Sequence, residues 1–452
     1  MPNRTLLAVF SSVFTTLVLA ANVSGQGIQP YPLAITDQLI HQETPMVPPP
    51  TNIVFTDPDF GSSMVRATDA TTNFKRAGTF LETGGSGEEN EWSSDTRKFY
   101  VVGDGGWDFA FGFDPLTMTV SSLPKANPGQ GLVLPLRPGP SFSFVDPDLI
   151  YGTADPNTLT IVSYRFSTGV SSPVIDTRTC GVQPPLSSIA VSDDDVSLSL
   201  DDTRVAISEG GSKSVPHMFV VVYDKVLGCR WYNTQTGQIG GQWGATGQTT
   251  GIDPYSIRHA YLSRSGKYVF VLVSWFGWYV WDLSTLNLSP CEIHSPAECS
   301  GYEAVGYNSL VNGPGITGDM QVAKRPLGDI SRISQLVSPV PFEWGQAQHF
   351  TWSNSGHDKN PVCGSTYSYD GDAIDQPYAG EIFCVETNGL ASTVWRFAHN
   401  RATYIHPFFQ TEPLGNVSLD GRFLIFTSDW DAQLGNQPDG KPRSDAFIVK
   451  LD

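Results

Sequence analysis

Five side chains able to hold a metal or move a proton recur at one offset in this chain. Glu89, Asp195, His259, Glu303 and His349 each stand four residues ahead of the serine position of a repeated phrase, and Ser141 and Leu414 take that place in two further copies. Imidazole and carboxylate together suit a divalent cation or general acid–base work. The cation expected of such a set is Ca²⁺ or Mn²⁺, with His259, His349 and Glu89 as ligands. Arg258 and Gln348 are immediate neighbours, and His406, Gln410 and Glu412 precede the last copy. A second reading stays open, in which the same groups only hydrogen-bond between neighbouring strands of a hydrated channel.

The phrase itself dictates the elements. WSSDTRK (92–98), LSLDDTR (198–204), LSRSGK (262–267), WSNSGH (352–357) and VSLDGR (417–422) each place an apolar residue, Ser and a turn ahead of a β-rich run such as FYVV or FLIFTS. That pattern predicts a hairpin: one strand ending at the Ser, a tight turn, and a return strand of β-branched and aromatic residues. FSFVDPDLIYGT (142–153) and EAVGYNSLVNG (303–313) are weaker copies. The serine positions are then 93, 145, 199, 263, 307, 353 and 418. Units of about 54 residues, each with room for four short strands, predict an all-β, seven-bladed β-propeller. The alternative is a tandem of irregular β-sandwiches, and seven copies in one phase favour the ring. The residues just before the serines, Trp92, Leu198, Leu262, Trp352 and Val417, are apolar and expected between blades. The last unit supplies three strands, so Ser63–Thr68 is expected to pair onto it and close the ring, hiding both sheet edges.

In a propeller the first strand of each blade lines the central channel, which is where the recurring polar residues would converge. Loops between second and third strands hold GDGGWD (103–108), SEGGSKSVPH (208–217), CGSTYSYDGDAIDQPYAG (363–380) and SDWDAQLGNQPDGKPRSD (428–445). Trp107 and Trp430, with Tyr367 and Tyr369, are expected there as exposed sugar-stacking platforms; the alternative is that each ring plugs a blade interface. The acidic stretches 193–195 and 370–375 lack the spaced alternation of a Ca²⁺ loop and read as solvated turns.

Composition agrees with many strands and tight turns. Only 16% of the 452 residues are charged, while Gly and Pro number 44 and 33. That excludes coiled coil, helical bundle and wholesale disorder. A net charge of −18 argues against a nucleic-acid partner. Arg4, the apolar run from Leu6 to Ala20 and small residues to Gly25 predict a signal peptide over 1–25, the alternative being an uncleaved anchor. An extended tail over 26–50 and one propeller over 51–452 would follow, secreted to the periplasm or cell exterior, monomeric and with no membrane span after cleavage. Cys180, Cys229, Cys291, Cys299, Cys363 and Cys384 then read as disulfides, paired in chain order as 180–229, 291–299 and 363–384. Asn22, Asn287 and Asn416 head N-x-[ST] sequons. Serine-esterase, zincin, P-loop and dinucleotide motifs are absent from the sequence.

The S-x-D-G-[KR]-apolar phrase resembles the TolB-type and WD-like propeller repeats, over roughly residues 50–452. His349 and His406, with Gln348 and Gln410 nearby, make the chain similar to propeller polysaccharide lyases of the oligogalacturonate lyase kind, although it has no H-x-H. That resemblance implies His and Gln metal ligands and a histidine base for β-elimination. The expected function is a secreted propeller that binds or cleaves a polysaccharide, with His349 or His259 as base and Arg258 or a metal neutralising a uronate carboxylate. The alternative is a non-catalytic binding or scaffold propeller of the cell envelope or matrix.

Overall fold

Ser93, Ser199, Ser263 and Ser418 show why the phrase recurs. The Ser93 hydroxyl donates to Asp95 at 2.7 Å and accepts from the amides of Arg97 and Lys98. Ser199 does the same with Asp201 and Arg204, and Ser418 with Asp420, Arg422 and Phe423. Each hydroxyl therefore knots its own hairpin turn. The fourth residue of the turn is left-handed: Thr96, Asp202, Gly266 and Gly421 have φ of 60°, 56°, 69° and 72°. Glycine meets that demand without a Cβ clash, hence the S-G and D-G forms of the phrase.

The computed structural model describes residues 31–84, 89–154, 159–183, 196–210, 218–251, 253–273, 277–291, 303–312, 322–337, 346–368, 377–388, 393–403 and 409–452. Seven antiparallel sheets follow one another along the chain. The first strands of the seven blades are Leu81–Glu82, Arg137–Phe142, Ser197–Leu198, Ile257–Leu262, Glu303–Val305, Gln346–Thr351 and Gly415–Val417. Blade 7 continues with Phe423–Ser428 and Asp445–Lys450, and Ser63–Arg66 from the other end of the chain pairs onto that last strand, Met64 facing Val449. The ring is closed as the sequence predicts.

Seven buried apolar clusters lie one at each blade interface, running around the ring from blades 1 and 2 to blades 7 and 1. Trp92, Leu198, Leu262, Trp352 and Val417 each sit in one of them, so the apolar member of the phrase packs one blade on the next. Two registers differ from the count. In blade 2 the Ser143 amide, not that of residue 145, closes the hairpin onto Leu149, so Ser141 lies two residues ahead of the turn serine. In blade 5 the turn is shorter: Gly306 donates to Ser309, and Gly306 rather than Tyr307 takes the serine's place.

Residues 31–50 are extended but docked across blades 6 and 7. Tyr31 is buried against Trp395 and Phe397, and its hydroxyl donates to the Gly421 carbonyl. Arg401 holds Glu43 and the Thr44 carbonyl, and the Trp430 indole donates to the Met46 carbonyl.

Disulfides join Cys180 to Cys229 and Cys363 to Cys384. Cys291 is also disulfide-bonded, and its expected partner Cys299 lies outside the described residues. The Cys180–Cys229 bond links the chain leaving blade 2 to blade 3 across 49 residues. Cys180→Ala/Cys229→Ala is expected to lower stability by about 2–4 kcal/mol. A lowered urea midpoint would show it; a midpoint equal to wild type would refute it.

Candidate functional site

The first strands deliver most of the expected residues to the inner edge of the ring. His349 stands in Gln346–Thr351, the first strand of blade 6, and Glu412 lies in the connection leading into blade 7. His349 Nε2 is 2.9 Å from Glu412 Oε2, and the two side chains are only 4% and 5% exposed. The imidazole lies flat on the Tyr367 ring, centroids 5.3 Å apart at 12°. A carboxylate at that distance fixes the imidazole's tautomer and orientation. The pair joins blades 6 and 7.

A second pair bridges blades 4 and 5. The ladder of blade 4 skips Arg258, which forms a bulge between Ile257 and His259. A bulge re-aims its side chain, and here the Arg258 charge acts on Glu303 of the next blade. Burial still dominates: the Glu303 carboxyl is pushed up to about 8, with Arg258 opposing the rise only in part. His259 is half-buried and stacked on Tyr261, centroids 5.6 Å apart.

Blade 1 carries a third group. Its first strand is split: Leu81 and Glu82 pair with Gly103 and Val102, the chain makes an excursion, and pairing resumes at Glu91 and Trp92. Glu89 and Glu91 are buried near Gly84, where a Cβ would meet Glu91 Oε1 at 2.7 Å. Only glycine permits that approach. Burial and the neighbouring Glu89 raise Glu91 well above the usual carboxyl range, and burial with Glu412 and Asp104 pushes Glu82 up to about 8. Burial therefore favours the neutral form of Glu82, Glu91 and Glu303. Glu82 and Glu91 were missed in the sequence because the excursion breaks the count back from Ser93.

The other expectations divide. Trp430 is not an exposed platform: it is 0% exposed, stacked on Phe447 at 4.8 Å, with Arg401 over its face. Tyr367 is 1% exposed and serves as the floor beneath His349. Trp107 is half-exposed with the Lys75 ammonium 5.1 Å from its ring, and Gln410 is half-buried in a short turn. Asp195, His406, Tyr369 and the side chain of Gln348 lie outside the described residues.

His259, His349 and Glu89 do not form the expected metal centre. Among the described residues, these three included, no three His, Cys, Asp or Glu side chains are gathered as a cation requires.

No protein-family model matches the chain, and no curated protein does either. Its fold has counterparts among solved structures. An oligogalacturonate lyase from Vibrio parahaemolyticus aligns with a TM-score of 0.51 at 12% identity, over 88% of this chain and 96% of that one. An oligogalacturonate lyase in complex with manganese aligns with a TM-score of 0.54 at 13% identity, over 91% and 99%. At such identities the likeness is one of fold. Among the described residues no helix is long and apolar enough to cross a membrane.

Proposed function

We propose that the chain is an exported propeller that binds a uronate-containing polysaccharide at the channel end bearing His349 and Glu412, and cleaves it by β-elimination. The observation that supports this most is the His349–Glu412 contact at 2.9 Å. With Nε2–H donated to Glu412, the other ring nitrogen is the basic one. It would take the proton α to the uronate carboxylate, and electrons would flow to expel the glycosidic oxygen and leave an unsaturated sugar. Glu82, pushed up to about 8 by burial and by the charge of Glu412, is placed to offer a proton to the leaving oxygen.

The test is the ultraviolet absorbance of conjugated unsaturated ends, with a panel of uronate polysaccharides. Wild type is expected to generate them, and His349→Ala to lower kcat by about 10²–10⁴-fold. Glu412→Gln, a positioning change, is expected to reduce kcat less and to shift the pH–rate profile. No absorbance change on any substrate would end the lyase reading. The near-complete burial of His349 and Glu412 favours the second reading in that event: a binding or scaffold propeller of the envelope or matrix, in which the pair is structural. Retention of wild type on immobilised polysaccharide, without product, would identify it.

A further inference from the structure

Three sequons occur in the sequence, and the fold treats them differently. Asn287-Leu288-Ser289 lies on the hairpin joining Trp278–Asp282 to Leu288–Cys291 of blade 4. Asn287 is exposed at the turn, its amide nitrogen 3.3 Å from the Ser289 hydroxyl. Its backbone N–H is held by Thr285, so the side chain projects from a fixed tip. Asn416-Val417-Ser418 is the opposite case. Asn416 is 0% exposed on the first strand of blade 7, and its amide donates to the Glu89 carbonyl at 2.6 Å. The Asn416 carbonyl in turn accepts from the Trp92 indole. A glycan there would part blades 7 and 1. Asn22 lies outside the described residues.

We propose that Asn287 is an N-glycan acceptor and that Asn416 is not, so that the folded protein, leaving a glycosylating secretory pathway, carries a sugar chain at the tip of the blade 4 hairpin. This rests on the exported part of the reading above and is independent of lyase activity. The amide nitrogen of Asn287 bonds to the anomeric carbon of a polyprenyl-diphosphate-linked oligosaccharide. The bond from that carbon to the diphosphate breaks, the lipid diphosphate leaves with the electron pair, and one amide proton is lost to solvent. Sequons on surface turns of secreted chains are the acceptors of this chemistry.

The position has a consequence for access. Asp282 faces Tyr268 and Leu283 donates to Lys267, so the Asn287 turn lies at the same end of the ring as the Ser263 turn. Glu412 sits at the end where the chain enters the first strand of blade 7, and His349, midway along Gln346–Thr351, reaches it. The glycan therefore leaves that end open.

The full chain behind a host leader peptide, in an Asn22→Gln background, is secreted from a eukaryotic host. The medium is treated with peptide-N-glycosidase and mapped by mass spectrometry. One enzyme-sensitive shift is expected, mapping to Asn287 and lost in Asn287→Gln and in Ser289→Ala. Secreted protein without a shift would overturn the proposal while leaving export intact. So would a glycopeptide at Asn416, or a shift that persists in Asn287→Gln.

Discussion

Arg396→Met is expected to destabilise the protein by about 3–5 kcal/mol and to loosen residues 31–50 at the same time. Arg396 is 0% exposed in blade 6, with Nε 2.7 Å from one Glu381 oxygen and Nη2 on the other. Its remaining nitrogen donates to the Asp37 carboxylate and to the carbonyls of Asp37 and Leu39, and its backbone N–H donates to Ile35. Removing the guanidinium leaves Glu381 buried, already above its ordinary carboxyl range because burial outweighs the arginine. An unpaired buried carboxylate is what makes the change severe. In Arg396→Met/Glu381→Leu both charges are gone, and most of the loss should return. Urea unfolding measures the first effect, and limited proteolysis within 31–50 the second. A single variant that unfolds at the wild-type midpoint would contradict the assignment.

Glu209→Gln is expected to stabilise the protein at about pH 9 and to change little at about pH 5. Glu209 is buried at the end of the second strand of blade 3, where one oxygen accepts from Thr177 and the other has no hydrogen-bond partner among the described residues. Burial pushes its carboxyl up to about 8 from an ordinary 4.5. Between those values the unfolded chain has released a proton that the folded chain keeps, so stability falls as pH rises through that window. The full effect is on the order of 5 kcal/mol above pH 8. His399 acts in the opposite sense: burial lowers it to about 4, so its contribution is lost as pH falls from about 6.5 toward 4. The difference between the Glu209→Gln variant and wild type isolates the glutamate from that background. A difference equal at both pH values would defeat it.

The fold was legible because its signal is local. In blades 1, 3 and 7 a Ser, a turn acid and a left-handed residue close the hairpin within the phrase itself, and the residue before the Ser packs on the preceding blade. His349 and Glu303 could thus be placed on first strands by counting. The count failed where the backbone departs from the repeat, at the Pro-Gly-Pro run before Ser141, the short turn after Val305 and the excursion before Glu91. Trp430 was misread for a different reason. It belongs to a loop, but Phe55 and the Met46 carbonyl cover it from some 380 residues away in sequence. Nothing within its own segment records that contact. Tyr367 likewise lies on the strand bearing Cys363, and its interior position becomes evident only once His349 is stacked on it.

Because blade 7 takes strands from both ends of the chain, no single blade can peel away as a terminal repeat of an open solenoid does. Every interface cluster has two neighbours, and the one between blades 7 and 1 depends on Val65 as well as Phe423 and Ile448. During synthesis the ring cannot shut until Asp445–Lys450 has left the ribosome and found Ser63–Arg66. The early blades must wait with one face unsealed, and once sealed the whole circle should melt as one unit.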